Sequence, residues 1–356
     1  MIDLDDRQSV KKLDAGNIAG SIQSLGSQCQ DIWQEAQKLS LPANYQDIDE
    51  VAVVGMGGSG LPTRIITSLF GDQLKVPLGL VNTYELPTFV NEKTFLILSS
   101  YSGNTEEVLE GAGQAKEKGA KVVVIASGGK LAALAETQGW PALVFEPKFN
   151  PSGQPRMALG YSIVGQLAIL AKLKLVEFLD GDIKDIVKLV SDLNKKWGIE
   201  AEKKGNFAKQ LALQLYGKIP ILLAAEFLRG NAHTFANQIN ENAKTFATSF
   251  SLPEADHHLI EGLSYPAGRQ DLVFVLFESS LYDERIRKRF EATKNVIVQN
   301  RIGAIEIKLA AGDRLLQSFE FLTLSSWTSF YLAISNGINP TPIPWVDYLK
   351  DRLAKP

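Results

Sequence analysis

Short runs of consecutive apolar, β-branched residues alternate along this chain with longer segments whose apolar positions recur every three or four residues. The first helical stretch carries Ile18, Ile22, Leu25, Ile32 and Ala36 on one face, and Leu41-Pro42 ends it. From Val51 the rhythm changes. Val51–Val54, Leu78–Val81, Phe95–Leu98, Val122–Ile125 and Leu143–Phe145 read as strands covered on both faces. Helices are predicted through Ile65, Ile66 and Leu69, over Glu106–Lys118 and over Lys130–Thr137. A charged helical region near Asp182–Lys204 leads into a second cycle, with strands predicted at Ile219–Ala224, Ala247–Phe250, Leu272–Phe277, Asn295–Val298 and Ala304–Lys308. Leu315–Ile334 reads as an apolar-rich helix, and a last helix is expected near Trp345–Leu353. This alternation predicts an α/β protein with two doubly wound, mainly parallel sheets flanked by helices. The division it suggests is an N-terminal helical segment (1–45), a first α/β domain (46–185), a second (186–335) and a C-terminal segment with its helix (336–356).

Composition narrows the possible partners. The chain has 356 residues, 45% hydrophobic and 22% charged, with 37 basic against 40 acidic side chains. So even a balance argues against nucleic acid as a partner, but leaves room for a local pocket that takes a small anion. The most apolar long stretch, Met157–Leu175, contains Gly, Ser, Gln and Lys and reads as a buried helix, not a membrane span. The polar N-terminus lacks a secretory core and Cys29 is the single cysteine, which together suit a cytoplasmic protein.

Two strand-to-helix turns carry the candidate chemistry. Gly55-Met-Gly-Gly-Ser-Gly60 fits G-x-G-x-x-G, but a dinucleotide site also wants an acidic residue ending the second strand. That strand ends here in Asn82, with Glu85 several residues late. A tight turn with no ligand is the bland alternative. The third reading is a phosphosugar: glycines admit close approach, and a helix N-terminus offers free N–H groups and a positive dipole end. The second turn favours it. In Leu98-Ser-Ser-Tyr-Ser-Gly-Asn-Thr-Glu-Glu107, the hydroxyls of Ser100, Ser102 and Thr105 fall within six residues, with Gly103 free to turn. Helix capping by Ser102 or Thr105 explains one or two of these, whereas a phosphate cradle uses the whole cluster.

With these residues in place, the chain resembles the sugar isomerase (SIS) family of phosphosugar-binding domains, here in tandem. Asn150-Pro-Ser-Gly-Gln-Pro-Arg156, Asn237-Gln-Ile-Asn-Glu-Asn-Ala-Lys244, Leu252-Pro-Glu-Ala-Asp-His-His258 and the ending Asn339-Pro-Thr-Pro…Lys350 narrow the resemblance to the bifunctional phosphoglucose/phosphomannose isomerases, from about residue 45 onward. The resemblance implies an aldose–ketose isomerase acting on sugar 6-phosphates through an enediolate, without cofactor or metal. It makes Glu241 the base between C1 and C2, and Arg156 the stabiliser of the enediolate. His257, or His258 beside it, becomes the ring-opening group supplied to the partner's site of a homodimer, and Lys350 a lysine reaching into the pocket. Gly57, Gly58 and Ser59 become the sugar loop, and Ser100, Ser102 and Thr105 the phosphate site. It also links tolerance for mannose to a residue near Thr341.

The chemistry suits the residue types. A carboxylate can carry a proton alpha to a carbonyl, a fixed cation meets the developing oxyanion, and histidine exchanges protons near neutral pH. With three histidines (His233, His257, His258) and one cysteine, the chain hardly supplies a zinc ligand set. The competing reading from another class is a non-catalytic phosphosugar sensor, which would use the phosphate cradle and have no need of the base, arginine and histidine.

Overall fold

The computed structural model describes residues 2–353. Three helices come first: α1 (Arg7–Leu13), α2 (Ile18–Gln23) and α3 (Leu25–Gln37). The first α/β unit then runs β1 (Glu50–Val54), α4 (Leu61–Phe70), β2 (Leu78–Val81), β3 (Thr94–Ser100), α5 (Glu106–Glu117), β4 (Lys121–Ala126), α6 (Gly129–Gln138), β5 (Ala142–Val144) and α7 (Leu159–Lys172). Two helices, α8 (Asp180–Trp197) and α9 (Phe207–Leu215), lead to the second. It runs β6 (Ile219–Ala225), α10 (Arg229–Gln238), β7 (Thr248–Leu252), β8 (Leu272–Ser279), α11 (Glu284–Gln299), β9 (Gly303–Leu309) and α12 (Arg314–Ser335), and α13 (Pro344–Leu353) follows.

Both sheets are parallel throughout, in the orders β2-β1-β3-β4-β5 and β7-β6-β8-β9. Parallel strands need crossover connections, most of them helical here, and the helices cover both faces, so every residue of β3 (Thr-Phe-Leu-Ile-Leu-Ser-Ser) is buried. Alternation along β1 sorts the side chains. Val51 and Val53 join the large core shared with the N-terminal helices and the second sheet, while Ala52 and Val54 face α5 in a separate cluster with Val108 and Ala112. The helix expected within Met157–Leu175 is α7, buried along its length from Leu159 to Leu170. Among the described residues no helix is long and apolar enough to cross a membrane.

One predicted strand is wrong. Asn295–Val298 lies in the last turns of α11 and is not a strand. The β-branched run Val-Ile-Val misled the reading because propensity is a weak guide once a helix is under way. Asp283 caps α11 by accepting from the Arg285 N–H at 2.8 Å, and Phe290, Thr293 and Ile297 then bury one helical face while Val298 stays 53% exposed. The second sheet therefore has four strands.

Candidate active site

A cleft of about 810 Å³ gathers residues from six distant parts of the chain. Gly57, Gly58 and Ser59 enter it from the turn after β1, Ser102 and Thr105 from the loop after β3, and Gln154 and Arg156 from the loop before α7. Glu241 comes from the end of α10, and Thr341, Asp347 and Lys350 from the C-terminal segment. This is the end of the sheet at which the strands' carboxyl termini meet helix N-termini, the usual ligand position in open α/β sheets.

The glycine turn is shaped by its neighbours. Gly57 has φ +46°, in the left-handed region, and a Cβ on Gly58 would lie 2.8 Å from the Pro155 carbonyl carbon, so this turn packs directly on the arginine loop. Ser59 is buried and its Oγ accepts from the Tyr101 N–H at 2.9 Å, which ties the two turns together. In the second turn, Thr105 stands at the N-cap of α5, but its hydroxyl pairs with Ser100 Oγ at 2.8 Å instead of capping the helix. The first-turn N–H groups and the positive dipole end are thereby left to an anion. Ser100 itself does not line the cleft: it is buried, and its Oγ accepts from the Gly103 N–H at 3.1 Å, so it supports the loop from beneath. Ser102 is exposed at the cleft, with its Oγ accepting from the Asn104 N–H at 3.2 Å.

Gly103 is fixed by a steric demand. Its φ is +68°, and a Cβ there would sit 1.8 Å from the Gly128 carbonyl oxygen. Gly103→Ala must displace the loop against backbone, and we expect it to lower unfolding free energy by about 2 kcal/mol or more and to weaken phosphosugar binding. Urea unfolding of the variant checks this; an unchanged midpoint would mean the two loops separate freely.

Arg156 is 1% exposed and committed to the protein. Its Nε donates to Asn242 Oδ1 (2.6 Å), one Nη1–H to Gln154 Oε1 (2.7 Å), and Nη2 to the carbonyls of Pro340 (2.9 Å) and Thr341 (2.8 Å). A guanidinium has five N–H groups, so one on Nη1 remains, and Nη1 lies 3.5 Å from Glu241 Oε2. Glu241 sits in a π-turn, Ile239–Ala243, that continues α10 with a wider i→i+5 coil, a feature that often marks functional sites. Its side chain is 28% exposed. Burial pushes its pKa above the ordinary carboxylate value, opposed by the positive charges of Arg156, Lys244 and Lys350. The result is a partly desolvated carboxylate beside a fixed cation.

The remaining expected residues fall differently. Lys350 lines the cleft from α13, a helix in which no residue is buried. Among the described residues lining the cleft, neither His257 nor His258 is found. Both are exposed on the turn after β7, where His258 Nε2 lies 3.0 Å from Glu254, and Asp256 is held by Arg289 (3.1 Å) and Thr293 (2.7 Å). No group of three His, Cys, Asp or Glu side chains among the described residues is placed to hold a metal ion.

Sequence reasoning missed several lining residues. Tyr101 and Gln154 lie inside motifs already singled out, and their apolar and amide character drew no attention. Ala15 and Gly16 come from the N-terminal segment, where a Cβ on Gly16 would meet Thr341 Oγ1 at 2.1 Å. That segment is fastened by buried Gln28, which donates to the Phe149 (3.0 Å) and Met157 (2.9 Å) carbonyls and accepts from the Gly160 N–H (3.1 Å). No local signal in the sequence announces this contact.

Paired parallel sheets, a hydroxyl-lined helix N-terminus and a partly buried acid beside a buried cation in one cleft define the class of α/β phosphosugar proteins built from SIS domains, and residues 204–353 match the bacterial phospho-glucose isomerase C-terminal SIS domain. A bifunctional phosphoglucose/phosphomannose isomerase from Caldicellulosiruptor bescii is 35% identical over 341 residues, covering 94% of this chain and 98% of the relative. The chain belongs to the bifunctional phosphoglucose/phosphomannose isomerase family. Coverage of 94% carries the match into the N-terminal helices, which the motif resemblance had left out. A D-glucosamine-6-phosphate 4-epimerase from Sulfolobus acidocaldarius is 32% identical, covering 69% of this chain and 74% of its own. The crystal structure of a hypothetical protein from Thermus thermophilus superposes with a TM-score of 0.73 at 17% identity, over 98% of this chain and 94% of that one, and shares the fold.

Proposed function

We propose that this protein interconverts glucose 6-phosphate and mannose 6-phosphate with fructose 6-phosphate by a metal-independent proton transfer through an enediolate. The observation that carries the reading is the Glu241–Arg156 pair, 3.5 Å apart in the same cleft as the uncapped N-terminus of α5. The substrate phosphate binds the first-turn N–H groups of α5 with the hydroxyls of Ser102 and Thr105, while Gly57, Gly58 and Ser59 admit the sugar. Glu241 moves the proton between C1 and C2. Its raised pKa makes it a stronger base than a solvated carboxylate, and the free Nη1–H of Arg156 stabilises the oxyanion as charge leaves the carbon. Lys350 adds positive charge at the mouth.

Ring opening requires a group that gives and takes protons near neutral pH, and we assign it to His257 of a second copy. Its exposure outside its own cleft supports the assignment, as do the large exposed aromatics near it in the sequence, Phe246 (69%) and Tyr265 (83%). The active unit in this reading is a homodimer. A sensor would need the phosphate cradle but not a desolvated carboxylate beside a buried guanidinium. The epimerase relative shows that chemistry at C4 also occurs on related chains.

Fructose 6-phosphate added to the purified protein in EDTA should yield glucose 6-phosphate and mannose 6-phosphate, each read by its own coupled dehydrogenase assay. Binding without either product would favour the sensor. Loss of turnover in EDTA, restored by zinc, would overturn the metal-free route.

A further inference from the structure

Lys244 closes the Asn-Glu-Asn-Ala-Lys block that carries Glu241, yet it is not among the residues lining the cleft. Its backbone is left-handed, with φ +50°, an uncommon conformation for a residue with a side chain, and this turns the chain out of the π-turn. The side chain spans to the C-terminal segment. Nζ donates to the carbonyls of Pro340 (3.0 Å), Asn339 (3.3 Å) and Asn242 (3.2 Å). The Pro340 carbonyl also accepts from Arg156 Nη2, so two cations from different parts of the chain converge on one oxygen. Asn336 adds a further tie, donating to the Ala243 carbonyl and to Thr245 Oγ1, both at 3.0 Å.

This convergence has a structural consequence. The strap Asn339–Ile343 leads directly into α13, which has no buried residue of its own and yet presents Val346, Asp347 and Lys350 to the cleft. With so little packing, α13 depends for its position on how the strap is held. We propose that Lys244 is a positioning residue that clamps the 339–341 strap to the π-turn bearing Glu241, so that the base and Lys350 keep a fixed relation across the cleft; this rests on the isomerase reading of the cleft.

The electrostatics agree with the geometry. Burial, and then the charge of Arg156, pull the Lys244 pKa down to about 8, opposed by Glu241. The charged groups concerned are Arg156 and Glu241 around Lys244, with Lys244 and Lys350 beside Arg156 around Glu241, and Asp347 beside Arg156. Deprotonation of Lys244 near this pH leaves two N–H donors for three carbonyls and weakens the clamp. Loss of its charge also removes one of the cations that hold the Glu241 pKa down, so the acid limb of turnover moves to higher pH.

Hydrogen exchange on the full-length protein tests the clamp without reference to activity. In Lys244→Met, amides of the 341–350 segment should exchange about tenfold or more faster than in wild type, with β8 unchanged, and Lys244→Arg should restore protection. If the variant loosens throughout, the same segment is followed in the wild type below and above the titration of Lys244, corrected for intrinsic exchange; selective loosening above it supports the clamp. Equal protection of 341–350 in every comparison overturns the clamp even if the protein isomerises sugar phosphates, whereas loosening in a protein without turnover would fault the isomerase reading alone. With turnover present, the acid limb moves up in Lys244→Met and stays in Lys244→Arg; an unmoved limb in both removes the link to Glu241.

Discussion

Glu241→Gln should lower turnover on fructose 6-phosphate by about a thousandfold or more while leaving phosphosugar affinity within a fewfold of wild type. The amide keeps the size of the carboxylate and can still lie near Arg156, so the cleft keeps its shape. What it loses is the basic oxygen. Arg156 gives the same substitution a second consequence: with no anion facing it, the remaining Nη1–H is free for substrate oxygens, so binding is more apt to tighten than to weaken. A fall confined to kcat, with KM unchanged or lower, is therefore the expected signature, measured by steady-state kinetics in both directions. If the variant keeps more than a tenth of wild-type kcat, Glu241 is not the proton carrier, and the desolvated carboxylate serves only to hold Arg156.

The second large effect concerns His257. Because it is exposed and outside the cleft of its own chain, His257→Ala should nearly abolish turnover of ring-closed substrate only if a second copy presents it. Glu241→Gln and His257→Ala variants should each be close to inactive alone. In the proposed dimer, co-expression should give mixed dimers in which one site inherits both defects and the other neither. Random pairing makes about half of the dimers mixed, so about a quarter of all sites should work, given a closed two-fold dimer with independent sites. Activity near that level, in a preparation shown by differential tagging to contain mixed dimers, supports shared sites. Mixed dimers as inactive as their parents would place both residues in one chain's site, or leave His257 without a role.

Much of this architecture is legible in the sequence because parallel strands covered on both faces must be apolar along their whole length. Val51–Val54, Phe95–Leu98 and Val122–Ile125 could hardly be anything else between turn signals, and all are strands. Asn295–Val298 has the same composition and is helix, since what decides it is the cap at Asp283 twelve residues earlier and the buried face through Phe290 and Thr293. The site divides in a similar way. Gly57, Gly58, Ser59, Ser102 and Thr105 occupy strand-to-helix turns, whose position at the sheet's carboxyl end follows from the fold class, and the structure places them in one cleft with Arg156, Glu241 and Lys350.

What the sequence does not display is how that cleft is held. The bond from Arg156 to the Thr341 carbonyl spans 185 residues, and that from Gln28 to the Met157 carbonyl 129, with no periodicity or motif to pair them. Ser100 illustrates the converse. Counted by type it is one hydroxyl of three; in the fold it points into its own loop, orienting Gly103 and Thr105 from below. Arg156 likewise looks in sequence like a free cation, and in the structure four of its five N–H groups brace the walls of the cleft.

The most direct test of the account is to follow glucose 6-phosphate by NMR in the presence of the purified protein and no other enzyme. One cleft with one base acting between C1 and C2 predicts that fructose 6-phosphate appears first and mannose 6-phosphate after a lag, and that Glu241→Gln slows both in the same proportion. Absence of the ketose, or a Gln variant that loses one conversion and keeps the other, would contradict it.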